Sequence, residues 1–374
     1  MQLTTILRKV FLEDKILEMK FTSARKLTKT IKIGNISIGG NAPVSIQSMT
    51  NTDTRNVDAT LKQICDLEAA GCEIIRLAVP DREAAQALCT IKKATNIPVV
   101  ADIHFDHELA LIAINGGVDK VRINPGNIGS FENVKKVADA ANYKGIPIRI
   151  GVNAGSVEKE LLAKYGAPTA EAMVESALRH GDILEKAGFY NIVYSLKASS
   201  VPMTIAAYRL MSASCDYPLH LGVTEAGIEF FASVKSSIGI GCLLAEGIGD
   251  TIRVSVTGDP LVEIKIGREI LKSLGLRNDG VDVISCPTCG RCQINIIPIA
   301  EEINQRLSGI RKPLKIAIMG CAVNGPGEAK EADIGIAGGK GEALLFKKGK
   351  IIRKIPEESI VSELMDEINK ILEV

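Results

Sequence analysis

The sequence predicts a (β/α)₈ TIM barrel followed by a small α+β iron–sulfur domain, an α/β protein overall. Two observations lead to this prediction. Short β-rich runs alternate with helix-like stretches from about residue 30, and this alternation stops after about residue 265. Four of the nine cysteines are crowded between residues 286 and 321. We therefore divide the chain into an N-terminal leader at 1–29, a barrel at 30–275 and a cysteine-bearing domain at 280–374.

Eight β-rich runs are expected to form the barrel strands, because each is short, aliphatic and followed by a helix-like stretch. Several of those stretches end at glycine, as at Gly71, Gly145 and Gly188, which is a common helix stop signal. A doubly wound sheet is the alternative, but no Gly-x-Gly-x-x-Gly motif follows the first strand. The predicted strands are 44–48, 73–79, 98–103, 120–123, 147–152, 191–196, 219–223 and 251–256.

The first 29 residues are expected to lie outside the barrel. Apolar side chains between Leu3 and Phe11 have helical spacing, which is consistent with a short amphipathic helix. Acidic residues at 13, 14 and 18 do not suit a transit peptide. We hypothesise that Met19 is the true start, and the N-terminal mass of the natively expressed protein decides between Met1 and Met19.

The C-terminal region has a different order of elements. A helix is predicted over 259–274, and a linker over 278–280. Strands at 281–285 and 314–319 each run directly into a cysteine segment, with a helix at 295–307 between them. The predicted elements that follow are a strand at 332–337, a hairpin of 343–346 with 350–355, and a helix at 357–372.

Composition excludes several classes of function. Hydrophobic residues make up 46% of the 374 residues, and the formal net charge is +1. This balance provides no general attraction for nucleic acid or for an anionic membrane surface. No apolar run has the length of a membrane span, and no secretory signal is recognisable. Because unpaired cysteines in this number are typical of a reducing compartment, we expect a cytoplasmic protein.

Polar side chains recur where the predicted barrel strands end. In a barrel of this class the active site lies at the carboxyl ends of the strands. Several converging Arg and Lys side chains there suit a phosphate-bearing substrate, because the guanidinium fork matches phosphate oxygens. The loop 124–129 could add backbone N–H donors. The candidate residues are Arg76, Asp102, His104, Arg122, Asn124, Arg149, Asn153, Lys197, Glu225 and Arg253.

Two of these candidates have more than one interpretation. Lys197 could form a Schiff base with a carbonyl substrate, so a barrel aldolase is a competing function. Glu225 could cap the following helix, or it could donate and accept protons. Any one arginine could serve in an ordinary ion pair, but recurrence at the same strand position favours a shared site.

The cysteine segments are CPTCGRC at 286–292 and CAVNGPGE at 321–328. Two thiols separated by two residues, with a third from a later segment, are typical of zinc sites and of iron–sulfur clusters. Glu328 favours the cluster, because a carboxylate is a displaceable ligand on one iron and a closed zinc site does not need it. We expect the remaining five cysteines to be small buried residues: Cys65, Cys72, Cys89, Cys215 and Cys242.

These motifs closely resemble the 4-hydroxy-3-methylbut-2-enyl diphosphate synthase family of the methylerythritol phosphate route to isoprenoids. Nine matching segments run in order over residues 31–374, without the large insertion of the longer forms. They are SIQSMT (45–50), RLAVP (76–80), DIHF (102–105), VRINPGNIG (121–129), IRIGVNAG (148–155), SLKAS (195–199), LGVTEAG (221–227), SCPTCGR (285–291) and GCAVNGPGE (320–328).

The resemblance implies reductive opening and dehydration of 2-C-methyl-D-erythritol 2,4-cyclodiphosphate with two electrons from flavodoxin or ferredoxin. It also implies a homodimer, with one subunit's cluster domain over the other's barrel. A [4Fe-4S] cluster would be held by Cys286, Cys289, Cys321 and Glu328, and Glu225 would act as acid or base. The implied substrate-binding positions are Arg76, His104, Arg122, Arg149, Asn153, Lys197 and Ser199.

Cys292 departs from the resemblance, since it is not one of the family's usual ligands. With Cys286 and Cys289 it forms a C-x₂-C-x₂-C run like that of bacterial ferredoxins. If Cys292 displaced Glu328, no iron would remain open to substrate, so we expect it not to be a ligand. The alternatives to the synthase are a zinc-stapled aldolase using Lys197 and a cluster-bearing interaction module, which the polar barrel rim disfavours.

Overall fold

The computed structural model describes residues 25–307, 309–321 and 329–373. They form two compact units, which divide between Arg277 and Asn278. Residues 1–24, which include most of the predicted leader, lie outside the described residues. Residues 25–29 belong to the first unit and hydrogen-bond to its loops: the backbone N–H of Lys26 donates to the Gly247 carbonyl, and that of Lys29 donates to the Asp216 carbonyl.

A short hairpin precedes the barrel and was not predicted from the sequence. Strands β1 (Ile31–Ile33) and β2 (Ile36–Ile38) pair antiparallel around Gly34, whose φ is +58°. Its isoleucine side chains pack against Ile74, Val100 and Val193. Because those three residues belong to barrel strands, the hairpin closes the amino-terminal end of the barrel with apolar side chains.

Eight parallel strands form the barrel, as predicted. Their order is β8-β7-β6-β5-β4-β3-β10-β9, and a parallel bridge between Tyr194 and Leu219 joins β8 to β9. The last two strands are shorter than predicted. The strands are β3 (Ser45–Met49), β4 (Ile74–Ala78), β5 (Val99–Asp102), β6 (Lys120–Ile123), β7 (Ile148–Asn153), β8 (Ile192–Lys197), β9 (His220–Leu221) and β10 (Thr251–Ile252).

Helices follow the barrel strands and bury one face each against them. Side chains cap several: Asp81 accepts from the Ala84 N–H, and Thr169 accepts from the Ala172 N–H. Gly71 and Gly145 end helices in the left-handed conformation, as predicted. These helices are Val57–Ala70, Arg82–Lys93, His107–Asn115, Phe131–Lys144, Lys159–Tyr165, Ala170–Lys186, Val201–Ser214, Glu229–Ala245 and Pro260–Ser273, with a 3₁₀ turn at Ala154–Ser156.

The second unit is a five-stranded mixed sheet of order β11-β12-β13-β14-β15. The first three strands are parallel and the last three antiparallel. Lys348 and Gly349 both have positive φ, which makes the tight hairpin turn between β14 and β15. The elements are β11 (Val281–Ser285), a helix (Ile296–Leu307), β12 (Leu314–Met319), β13 (Ile334–Gly339), β14 (Glu342–Lys347), β15 (Lys350–Pro356), a 3₁₀ turn (Glu357–Ser359) and a helix (Ile360–Leu372).

The expectation that five single cysteines are buried is wrong for most of them. Cys72 is buried, whereas Cys65 is exposed and the other three are half-buried. Cys65 follows the buried Ile64 on the helix Val57–Ala70 and therefore points to the solvent side. None of the helices in the described part of the chain has both the length and the apolar character needed to span a bilayer.

Candidate active site

The candidate side chains of the barrel are brought to its interior and to its carboxyl-terminal rim. Parallel pairing aligns Asp102 with Arg122 and Arg122 with Arg149, and it aligns Asn153 with Lys197. The cations among them are buried or nearly so, and so are Asp102 and Asn124. Asn153 is half-buried. The exposed candidates, which follow the strands at the rim, are His104, Ser199 and Glu225.

Asp102 is the anionic centre of the rim. Its carboxylate lies 3.1 Å from Arg122 Nη1, 3.7 Å from Arg76 Nε and 3.6 Å from His104 Nε2. Arg122 Nη1 also lies 2.9 Å from His104 Nε2. Burial alone would raise the pKa of the Asp102 carboxyl, but Arg76, His104, Arg122 and Arg149 together hold that pKa well below its usual range. Asp102 therefore stays ionised and orients its neighbours.

Cations outnumber carboxylates along the inner face of the barrel. Among the described residues only Asp102 and Glu263 supply buried negative charge there. Arg149 is fully buried, and its Nε and Nη1 atoms have no hydrogen-bond partner within the described structure. Buried charge without a partner is unfavourable, so this cluster of cations is suited to an anionic ligand. The cations are Arg76, Lys120, Arg122, Arg149, Lys197 and Arg253.

Arg253 is paired with a second buried carboxylate, that of Glu263. Its Nη2 donates to Glu263 Oε1 at 2.8 Å, and the other Glu263 oxygen accepts from Ser48 Oγ at 2.8 Å. Glu263 is 3% exposed and also accepts from the Val256 N–H. Its place in the helix after the last strand explains why the strand-end rule missed it.

Two glycines, one on β7 and one directly after β9, make room for the cations. A Cβ on Gly151 would meet Arg122 Nε and would lie 2.9 Å from its Nη2. A Cβ on Gly222 would lie 2.9 Å from Lys197 Nζ and 2.7 Å from the Arg253 carbonyl oxygen. The long cationic side chains fit here because the facing position on the neighbouring segment is a glycine, which has no side chain.

We expect the Gly151→Ala variant to raise the KM for an anionic substrate by about tenfold or more, because Arg122 must leave its charge-assisted contact with Asp102. Gly155→Ala is the matched control, since a Cβ there meets nothing within 4 Å. Steady-state kinetics of both variants measure the effect. Equal KM values for the two variants would contradict the steric argument.

The loop that follows β6 packs against the buried imidazole of His180. Asn124 Oδ1 accepts from the Gly126 N–H at 3.2 Å. A Cβ on Gly126 would lie 2.5 Å from His180 Nε2, and that nitrogen lies 2.9 Å from Glu158 Oε1. His180 itself is 2% exposed, because the loop covers the helix face that carries it.

Glu225 lies at the rim in a strained backbone conformation. Its φ is +53°, and among the described residues only Lys348 shares a positive φ without being glycine. A bulky side chain in this region costs free energy, and such outliers are frequent at functional sites. Because the Glu225 side chain is exposed, its carboxylate is accessible to a ligand at the barrel mouth.

The buried lysines predict a proton-linked binding event. Burial, and then neighbouring arginines, hold the pKa of Lys120 and of Lys197 well below 10.5. The unfolded chain therefore binds more protons, and the free energy of unfolding rises with pH between the lowered values and 10.5. A bound dianion restores the charged lysines, so binding takes up protons below the bound-state pKa and weakens as pH rises through it.

Calorimetry with sulfate, in two buffers of different ionisation enthalpy, measures this uptake. We expect net proton uptake on binding and a smaller uptake in the Lys197→Met variant. Binding heats that are independent of the buffer would contradict the prediction.

In the second unit, parallel strands bring the two cysteine segments to one sheet edge. Ser285 pairs with Ile318, so Cys286 and Cys321 both follow the carboxyl ends of adjacent strands. The Gly320 N–H donates to Cys286 Sγ at 3.0 Å. Hydrogen bonds from the Arg291 backbone and side chain lower the pKa of the exposed Cys289 thiol. Both contacts favour the thiolate forms that metals bind.

Cys292 has a different environment. Its Sγ donates to the Ile294 carbonyl at 3.3 Å, which requires the protonated thiol. A Cβ on Gly320 would collide with the same sulfur, so Cys292 is packed against the strand end. Within the described residues no three metal-binding side chains converge on one point. The predicted ligand Glu328, with the turn from Asn324, lies outside the described residues.

Comparison with known proteins gives the family of both units. The family model described as the GcpE TIM-barrel domain matches residues 28–268. The model described as the GcpE protein C-terminal domain matches residues 282–370. Together they cover the barrel and the cysteine-bearing sheet, as the resemblance implied.

Similar curated proteins share one name, 4-hydroxy-3-methylbut-2-en-1-yl diphosphate synthase (flavodoxin). The protein from Ruminiclostridium cellulolyticum is 63% identical over 92% of this chain and 98% of its own. Those from Caldanaerobacter subterraneus and Geobacter sulfurreducens are 62% and 61% identical, over 93% and 92% of this chain and 98% of theirs. They support the synthase and not the alternative aldolase. The chain belongs to the GcpE family of 4-hydroxy-3-methylbut-2-en-1-yl diphosphate synthases.

Proposed function

We propose that this oxidoreductase opens and reductively dehydrates 2-C-methyl-D-erythritol 2,4-cyclodiphosphate to (E)-4-hydroxy-3-methylbut-2-enyl diphosphate. The observation that carries the proposal is the excess of buried cations in the barrel, with two Arg149 donors unpartnered. A cyclic diphosphate supplies two negative charges in a compact group, which suits converging guanidinium and ammonium donors. The names of the relatives give the product, and the barrel chemistry agrees with it.

The buried cations would bind the diphosphate. Arg122 and Arg149 lie on adjacent strands in register, so their guanidinium groups can contact neighbouring phosphate oxygens. Asp102 holds Arg122 and Arg76 in place while the substrate neutralises the remaining charge. Polar side chains at the rim would contact the sugar-derived hydroxyls and the outer oxygens: His104, Asn124, Asn153 and Ser199.

Glu225 would donate the proton that the leaving hydroxyl needs in the dehydration. The net reaction consumes two electrons, breaks one carbon–oxygen bond to the diphosphate and releases one hydroxyl as water. A hydroxyl leaves readily only when protonated, and an accessible carboxyl group at the barrel mouth can donate that proton. The left-handed backbone conformation at Glu225 fixes the direction in which its side chain leaves the backbone.

The thiols of the second unit suit an iron–sulfur cofactor. Cys286, Cys289 and Cys321 would hold three irons of a [4Fe-4S] cluster, and Glu328 would be the displaceable fourth ligand. Such a cluster, when bound, supplies the electrons one at a time. The N–H donor at Cys286 and the hydrogen bonds of Cys289 fit thiolate ligands, whereas the Cys292 contact fits a thiol that stays outside the set.

The names of the similar proteins include flavodoxin, so we propose flavodoxin as the electron donor of this protein, with ferredoxin as the alternative donor. We also propose a homodimer in which each cluster domain caps the partner's barrel, and a cytoplasmic location that keeps nine free cysteines reduced.

Iron and acid-labile sulfide content of protein purified without oxygen tests this proposal. About four of each per chain is expected, with absorption bleached by dithionite, and the protein should then convert the cyclic diphosphate with reduced flavodoxin. One zinc without sulfide would overturn the cluster. Borohydride trapping of a substrate adduct on Lys197 would support the aldolase instead.

A further inference from the structure

Lys197 shares the barrel interior with a histidine that no strand-end argument singled out. Lys197 Nζ lies 3.3 Å from His220 Nε2, and His220 Nδ1 lies 3.4 Å from Thr251 Oγ1. Lys197 is 7% exposed and His220 is fully buried. Among the described residues no carboxylate lies within ion-pair distance of Lys197, and its ammonium nitrogen contacts the imidazole instead.

The contacts determine the tautomer of His220. When a bound dianion restores the ammonium form of Lys197, that group has only donors, so His220 Nε2 must accept with its lone pair and the ring proton must sit on Nδ1, facing the Thr251 hydroxyl. The ring is therefore neutral. Protonation is unfavourable here, because the ring is buried and the groups that face it are cationic: Arg76, Lys120, Arg149 and Lys197.

We propose that His220 is a positioning residue for Lys197, which holds the lysine ammonium group on the diphosphate while Thr251 holds the imidazole in its accepting tautomer. This inference rests on the proposed function. The backbone of His220 is itself anchored, since its carbonyl accepts from the Tyr208 hydroxyl, which in turn accepts from the Leu196 N–H at 3.1 Å. Gly222, two residues further along, leaves the space that the end of the lysine occupies.

A neutral acceptor suits this position better than a carboxylate. A flexible lysine side chain loses rotamer freedom when it is held in one position. Because a fixed partner already holds it in the free enzyme, this entropy cost is not added to the cost of substrate binding. A carboxylate would also cancel the charge that the diphosphate needs, as Glu263 does for Arg253. The imidazole orients Lys197 and leaves its positive charge available.

Kinetics of the cluster-loaded enzyme with matched variants test the proposal. His220→Leu introduces an apolar side chain of similar bulk and removes the hydrogen-bond acceptor. KM for the cyclic diphosphate should therefore rise about tenfold or more, with little change in kcat. His220→Gln restores an acceptor and should bring KM back to within about threefold of the wild type. Tyr217→Phe removes a buried hydroxyl bond to Glu185 outside the site and should leave KM unchanged.

A double-mutant cycle separates positioning from general destabilisation. His220→Leu should have no further effect on KM in a Lys197→Met background. Additive effects, or equal losses in the Leu and Gln variants, would overturn the role of His220. If the wild type does not convert the cyclic diphosphate, the proposed function fails separately, and the same cycle measured as pyrophosphate affinity by calorimetry still decides the coupling of His220 to Lys197.

Discussion

Replacement of Glu225 by glutamine is expected to lower kcat by about 10²–10⁴-fold while KM changes little. Glutamine keeps the size and the hydrogen-bonding oxygen of the side chain but cannot donate a carboxylic proton to the leaving hydroxyl. Cluster content and the melting temperature should match those of the wild type, because the Glu225 side chain is exposed. Anaerobic steady-state kinetics with reduced flavodoxin measure the loss.

The backbone at Glu225 allows a second variant to separate catalysis from stability. Its φ of +53° is unfavourable for glutamate, whereas asparagine adopts that region more readily. Glu225→Asn should therefore lose activity to the same extent while its free energy of unfolding rises by up to about 1 kcal/mol. Lys348→Asn is the matched control, since Lys348 has a φ of +48° in a hairpin turn of the other unit.

The Lys348→Asn variant should gain stability to a similar degree and retain full activity. If Glu225→Gln keeps wild-type kcat, Glu225 is not the proton donor. If Glu225→Asn is less stable than the wild type, the side chain has a structural role, such as capping, that its described contacts do not include.

Serine at Cys286 or Cys321 is expected to abolish activity and to remove most of the iron and sulfide. A serine hydroxyl is a much poorer iron ligand than a thiolate, and at Cys286 it also loses the N–H···S contact from Gly320. Because the barrel is a separate compact unit, these variants should still bind sulfate with wild-type affinity. That measurement distinguishes loss of the cofactor from loss of the whole fold.

Cys292→Ser is the matched control in the same segment. Its Sγ donates to the Ile294 carbonyl, and a serine hydroxyl can make the same bond. Iron, sulfide and activity should therefore be retained. Loss of the cluster in Cys292→Ser, together with its retention in Cys286→Ser, would reverse the ligand assignment. Both variants are compared by metal analysis and visible spectroscopy on protein purified without oxygen.

The sequence by itself determined the barrel, the second sheet and the strand ends at which most of the candidate site residues lie. Eight aliphatic runs separated by helical stretches allow few other arrangements, since parallel strands need crossover helices and bury both faces. The strand-end rule located Arg76, Asp102 and Arg122 within the last three residues of their strands, whereas Arg149 is the second residue of β7 and lies in the barrel interior. The predicted strands 281–285 and 314–319 likewise placed Cys286 and Cys321 just beyond two strand ends, which the structure confirms for β11 and β12.

Only the tertiary structure decided which side chains meet inside the barrel. His220 and Lys120 lie at the starts of their strands, where an apolar layer was expected, and Glu263 comes from a helix. Gly151 and Gly222 have no side chain from which a role could be inferred in the sequence. In the structure each leaves space for a cationic side chain of a neighbouring strand. The same limit applies to His180, which became buried because a distant loop covers it. Periodicity reports which residues share a face, whereas contacts between strands far apart in sequence depend on register and barrel closure.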